Sequence, residues 1–118
     1  MSRGQRKSYD IPAGDVVQFD RDAEVILVRQ QKSVWAFALS CPHQNTALRW
    51  NAGDHRFQCP KHKSKYRPDG VFIEGRATRA MDRFAIALEG QAIVVDLDVL
   101  HKQDDEPAAW AAASITLP

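Results

Sequence analysis

An all-β domain of stacked antiparallel sheets, with an inserted loop-rich lobe and a short C-terminal helix, is the fold class that the sequence predicts. Three observations carry that expectation. Short runs of valine, isoleucine and aromatics alternate with two- or three-residue polar turns near the N-terminus, and a glycine-bearing hairpin signal stands at Glu89-Gly90. Between these strand-rich flanks, residues 40 to 80 are richer in Pro, Gly, Asn, His and Lys.

Taken in order, the predicted strands are Asp15 to Phe19, Ala23 to Arg29 and Ser33 to Leu39, separated by Asp20-Arg21-Asp22 and Gln30-Gln31-Lys32. That is the pattern of an antiparallel meander. The middle segment holds only brief strand-like pieces, Arg56 to Gln58 and Val71 to Ile73, and reads as a lobe of about residues 40 to 80 carried by the sandwich. Phe84 to Leu88 and Gln91 to Leu97 then flank Glu89-Gly90, a two-residue turn with glycine where positive φ is expected. In the tail, Asp104, Asp105 and Glu106 supply capping acids, Pro107 a first-turn proline, and a run of alanines a short helix that ends before Ile115.

At 118 residues the chain is read as one domain, 1–118, able to bury a modest core. Its 16 basic residues nearly balance 15 acids, so net charge points to neither nucleic acid nor membrane as a partner. No apolar run approaches the roughly 20 residues of a membrane-spanning helix. The N-terminal Met1 to Ser8 is polar and basic with no apolar stretch behind it, which excludes a secretory signal in the sequence as written. The expected compartment is the cytoplasm if the chain is complete, and the periplasm if an export signal or anchor has been removed.

Only two cysteines occur, and each is followed by proline and then, at once or after one residue, by histidine: Cys41-Pro42-His43 and Cys59-Pro60-Lys61-His62. Fifteen residues separate the two motifs. Two thiolates and two imidazoles on two loops can close a tetrahedral zinc site, or hold a [2Fe-2S] cluster with both sulfurs on one iron and both nitrogens on the other. Zinc fingers usually group Cys with Cys and His with His, whereas here each loop supplies one of each, as a bridged pair of irons needs. The competing explanations are small core cysteines beside surface histidines, or a nucleophilic cysteine with a histidine base.

Cys41-Pro42-His43 with Cys59-Pro60-Lys61-His62 resembles the ligand motif of Rieske-type [2Fe-2S] proteins. The flanking strands, the hairpin before the second loop and the Asp69-Gly70 turn after it fit that family too. The resemblance implies a Rieske fold with a cluster-binding subdomain at one end. It also implies metal ligation by Cys41 and Cys59 at the buried iron and by His43 and His62 at the outer one. The implied function is one-electron transfer through the cluster. Replacing two thiolates by neutral imidazoles removes negative charge and raises the potential, and titration of the rings makes it fall as pH rises through their pKa values.

Within the family, the type with an inter-loop disulfide places cysteines where this chain has Thr46 and Lys61, so that bridge is absent, as in ferredoxins that feed oxygenases. Ser64 and Tyr66 point the other way. They stand where the high-potential type places hydroxyls that donate hydrogen bonds to cluster sulfurs, which favours a potential in the middle or upper part of a range of roughly −150 to +300 mV. The chain also departs from the family at Lys63, where glycine commonly follows the second histidine, and at Gly75-Arg76-Ala77, where many members have a proline loop.

Lys61, Lys63, Lys65 and Arg67 alternate around His62 and suggest a basic rim that docks a redox donor or acceptor, with Arg76 and Arg79 as possible additions. The expected role is that of a stand-alone carrier or a small redox subunit of a respiratory-type oxidoreductase. The alternatives are the ferredoxin component of a Rieske-type oxygenase system and, more distantly, a zinc-binding interaction module. Elsewhere, His55 reads as a surface residue in a turn, and His101 has no partner in sequence. Trp35 reads as core, Trp50 as packing beneath the first loop, Trp110 as the pin of the tail helix and Leu48 as an apolar neighbour of the site.

Overall fold

The computed structural model describes residues 6–39, 48–59, 64–74 and 80–117. The elements run β1 (Arg6–Asp10), β2 (Val16–Asp20), β3 (Val25–Gln30), β4 (Ser33–Ala38), β5 (Arg49–Asn51), β6 (Arg56–Gln58), β7 (Lys65–Tyr66), β8 (Phe72–Glu74), β9 (Arg83–Glu89), β10 (Ala92–His101), α1 (Pro107–Ala112) and β11 (Ile115–Thr116). Among the described residues they form two antiparallel sheets. The larger has the order β1-β10-β9-β4-β3-β2 with β11 added to β4, and the smaller has the order β5-β6-β7-β8.

Strand β3 shows why the two sheets stack. Val25, Ile26, Leu27 and Val28 are all buried, and their alternation divides them between two cores. Ile26 and Val28 join Phe37, Leu48, Phe57, Cys59, Tyr66 and Met81 beneath the small sheet. Val25 and Leu27 join Val34, Ala36, Ile93 and Val95 inside the curl of the large sheet. A strand buried on both faces reads as a continuous apolar run, which is what the sequence carries there. The curl brings the two edge strands of the large sheet together: the Tyr9 hydroxyl on β1 donates to Asp20 Oδ2 on β2 at 2.8 Å, and Lys7 Nζ stands 3.8 Å from the same carboxylate.

The structure shifts several sequence-based boundaries. The β9–β10 turn is Gly90-Gln91, one residue later than expected, because Glu89 still pairs with Ala92; Gly90 has φ +63°. Strand β10 continues to His101 through a register break between Asp96 and Leu100. The tail helix spans only Pro107–Ala112, and its expected acidic cap is not made. Glu106 occupies the cap position without a side-chain cap bond, its carboxylate instead meeting His101 Nδ1 at 2.7 Å. Beyond the helix, β11 pairs with Val34 and Ser33 of β4, while Phe37 of the same strand pairs with Arg83 of β9. No helix among the described residues is long and apolar enough to cross a membrane.

Candidate metal centre

The small sheet holds the described part of the predicted site. Strands β6 and β7 pair Phe57 with Tyr66 and Gln58 with Lys65. The next pair of residues, Cys59 and Ser64, is joined by the Cys59 amide donating to the Ser64 carbonyl at 2.8 Å. The first loop has the same footing, since the Leu48 amide donates to the Leu39 carbonyl at 2.9 Å. Each cysteine-bearing segment thus starts and ends at a hydrogen-bonded pair, and Leu39, Leu48 and Cys59 all belong to one buried cluster. Cys41, His43 and His62 lie outside the described residues.

Burial around these footings is tight. Cys59, Ser64 and Tyr66 have no solvent exposure, and Leu48 has 1%. Among the described cysteines Cys59 is a free thiol. Aromatic rings wall the cluster: Phe57 meets Trp50 at 4.9 Å and Phe37 at 6.0 Å, both edge-on, and Tyr66 meets Phe72 at 5.9 Å. A buried soft donor with two buried hydroxyl-bearing neighbours is the environment in which a sulfur-ligated cluster is shielded and its potential tuned by hydrogen bonds.

Of the predicted basic rim, Lys65 and Arg67 fall within the described residues, and both are ion-paired. Lys65 Nζ lies 3.4 Å from Glu74, and Arg67 grips Asp69 through Nε and Nη2 at 3.1 and 2.5 Å. Burial works to raise the Asp69 carboxyl. The Arg67 hydrogen bond, the Val71 amide and the charges of Arg67 and Arg83 outweigh it and hold the group below its usual value. Lys61, Lys63, Arg76 and Arg79 lie outside the described residues.

The other residues read singly from the sequence lie within the described part, some of them where their context suggested and some not. His55 is an exposed turn residue at φ +56°, with its ring 2.7 Å from Gln30 Nε2. Trp35 and Trp50 are half-buried against the cluster that contains Cys59. Trp110 pins the tail, its indole donating to the Met81 carbonyl at 2.7 Å. His101 does have a partner, Glu106, five residues on.

Sequence reasoning passed over Arg83, which is 5% exposed. Its Nη2 donates to the Asp69 carbonyl and its Nη1 to the Trp110 carbonyl, each at 2.8 Å, and the guanidinium stacks 3.7 Å from the Trp110 ring centroid. Both acceptors are backbone atoms distant in sequence, so no motif announces them.

A family model described as the Rieske [2Fe-2S] domain matches residues 5–85. The cytochrome b6-f complex iron-sulfur subunit 1 of Synechocystis sp. PCC 6803 is 31% identical over 83 residues, which cover 65% of this chain and 47% of that subunit. The corresponding subunit of Synechococcus sp. JA-3-3Ab is 34% identical over 53 residues, 45% of this chain and 31% of its own length. The chain therefore matches half or less of the length of these two relatives. In fold it is similar to the crystal structure of the cyanobacterial plasma membrane Rieske protein PetC3 from Synechocystis PCC 6803. That likeness has a TM-score of 0.56 at 24% identity, over 70% of this chain and 85% of that one. With the buried Cys59 thiol and the footings of both loops in one cluster, these matches establish that the chain belongs to the Rieske [2Fe-2S] domain family and that a [2Fe-2S] cluster is its cofactor.

Proposed function

We propose that the protein transfers single electrons between redox proteins, as a stand-alone carrier or a small redox subunit, and that Cys41, His43, Cys59 and His62 hold the cluster. The observation that supports this reading is the convergence of the two loop footings on one buried cluster, through Leu39 and Leu48 for the first and Cys59 for the second. When bound, the cluster takes up and releases one electron at a time.

The chain's own residues supply the rest. The hydrophobic wall of Leu48, Phe57 and Met81 keeps water from the Cys59 thiolate. Ser64 and Tyr66 are assigned hydrogen bonds to cluster sulfurs, which favour the more negative reduced form and raise the potential. Lys61, Lys63, Lys65 and Arg67 form a docking rim for an acidic partner, in which Lys65 and Arg67 share their charge with Glu74 and Asp69.

Similarity to subunits of the cytochrome b6-f complex, together with the hydroxyls at 64 and 66, supports the redox-subunit reading over an oxygenase ferredoxin. A potentiometric titration tests it: a midpoint in the middle or upper part of the Rieske range agrees with this assignment, and one at the bottom of the range removes it.

A further inference from the structure

The contact between the small sheet and the rest of the molecule has a defined joint. The turn between β7 and β8 is a closed unit, with Gly70 N–H donating to the Arg67 carbonyl and Arg67 N–H to the Val71 carbonyl, each at 2.8 Å. Gly70, at φ +86°, lies directly against the Phe37 ring of the large sheet, where a Cβ would collide. The Met81 amide donates to the Gly70 carbonyl at 2.9 Å, and Arg83, two residues on, donates to the Asp69 carbonyl. On its other side Arg83 reaches the Trp110 carbonyl, while the Trp110 indole returns to the Met81 carbonyl.

We propose that Arg83 is a positioning residue. One guanidinium, held between the Asp69 carbonyl and the Trp110 carbonyl, fixes the β7–β8 hairpin that carries Ser64 and Tyr66, and so sets the reduction potential of the cluster. The proposal rests on the Rieske reading of the site. Burying a cation is costly; here Nη1 and Nη2 meet carbonyls, the Trp110 ring covers one face and the Asp69 carboxylate is the neighbouring charge, while Nε is buried with no hydrogen-bond partner among the described residues. Burial lowers the guanidinium pKa to about 10, which leaves it charged at neutral pH.

Geometry gives the position its leverage. The hairpin is held at one end by the Cys59–Ser64 bond and at the other by the Arg83 joint, with Tyr66 one residue from the closed turn. Hydrogen bonds to sulfur weaken steeply with misplacement, so a hairpin loosened at its turn loses donor geometry at its base. The clamp also recruits the tail, since Trp110 lies beyond the residues that the family model matches. Lysine keeps the charge but cannot present the planar fork that spans two carbonyls.

The test compares Arg83→Lys and Arg83→Gln with the unaltered chain by voltammetry at fixed pH, hydrogen–deuterium exchange of residues 64–74, and thermal unfolding. A visible spectrum of the unaltered protein comes first. Absence of a cluster there overturns the Rieske reading, while the exchange measurement still reports on the clamp. The expected result is a lowered potential of similar size in both variants, with exchange in 64–74 rising severalfold. Tyr66→Phe should also lower the potential less in the Arg83→Lys background than in the unaltered chain. A fall in thermal stability with potential and exchange unchanged overturns the proposal in favour of a merely structural arginine. A potential lowered by Gln but kept by Lys overturns it in favour of bare charge. If neither variant folds, Trp110→Phe keeps a ring over the guanidinium but removes the indole bond to Met81. Faster exchange at 64–74 with a lowered potential then supports the clamp, and no change in either overturns it.

Discussion

The Cys59 amide donates to the Ser64 carbonyl at 2.8 Å, so that the buried cysteine and the buried serine extend the pairing of β6 and β7 by one hydrogen bond beyond the strand ends. The same two-stranded ladder places Tyr66 opposite Phe57. One buried sulfur and two buried hydroxyl-bearing side chains are thereby carried on one two-stranded element. Loss of one neutral hydrogen bond is worth about 0.5–1.5 kcal/mol, which for a one-electron couple is roughly 20–65 mV. Ser64→Ala and Tyr66→Phe are each expected to lower the midpoint by that amount with the visible spectrum retained. Voltammetry of both variants checks it, and unchanged midpoints would take the tuning role from these residues.

Gly70 concentrates two demands at one position, a positive φ and contact with the Phe37 ring. Gly70→Ala adds left-handed backbone strain to a steric clash, for an expected loss of about 2–4 kcal/mol. Urea unfolding of the cluster-bound protein measures it. A loss below about 1 kcal/mol would show that the joint yields without cost.

Acid stability follows from two carboxylates. The Tyr9 hydroxyl, the Ala23 amide and the Lys7 charge hold Asp20 below its usual value, and Asp69 is lowered as described above. For a depressed carboxylate the unfolded chain binds more protons between the two pKa values. Its stabilisation is therefore complete above about pH 4 and is lost as pH falls through the folded value. Asp20→Asn and Asp69→Asn should each flatten the acid limb of stability against pH while leaving the slope above pH 5 unchanged. A limb as steep as that of the unaltered chain in both variants would contradict the assignment.

Lys65 and Glu74 form one pair at the site's margin. Glu74→Gln should speed oxidation of the reduced protein by ferricyanide, and Lys63→Gln should slow it. Each change is expected to be about two- to fivefold at low salt and to shrink in 0.5 M salt. Stopped-flow rates against ionic strength decide the matter, and rates indifferent to salt would argue against a rim that steers anionic partners.

The long strands were legible because their residues are buried in a regular pattern. Val25 to Val28 and Val34 to Phe37 face packed cores, and their composition says so. Strand β1 was not, since Arg6-Lys7-Ser8-Tyr9-Asp10 is polar and exposed apart from Tyr9, and its place comes from pairing with β10 across the whole chain. The two- and three-residue strands β5, β7 and β11 are too short for periodicity to register. At the site, Cys59 and its ligand-type neighbours announce themselves by residue type. The Arg83 joint does not, because its acceptors are backbone carbonyls 14 and 27 residues away.

The central claim is that two thiolates and two imidazoles hold a pair of irons in this chain. Pulsed electron paramagnetic resonance of the dithionite-reduced protein, with iron and acid-labile sulfide assays on the same sample, tests it most directly. The account predicts two irons and two sulfides per chain, as a [2Fe-2S] centre requires, and a reduced signal coupled to two imidazole nitrogens, one of which disappears in His62→Cys or His43→Cys. A protein that carries zinc, or an iron centre with no imidazole nitrogen coupling, would contradict it.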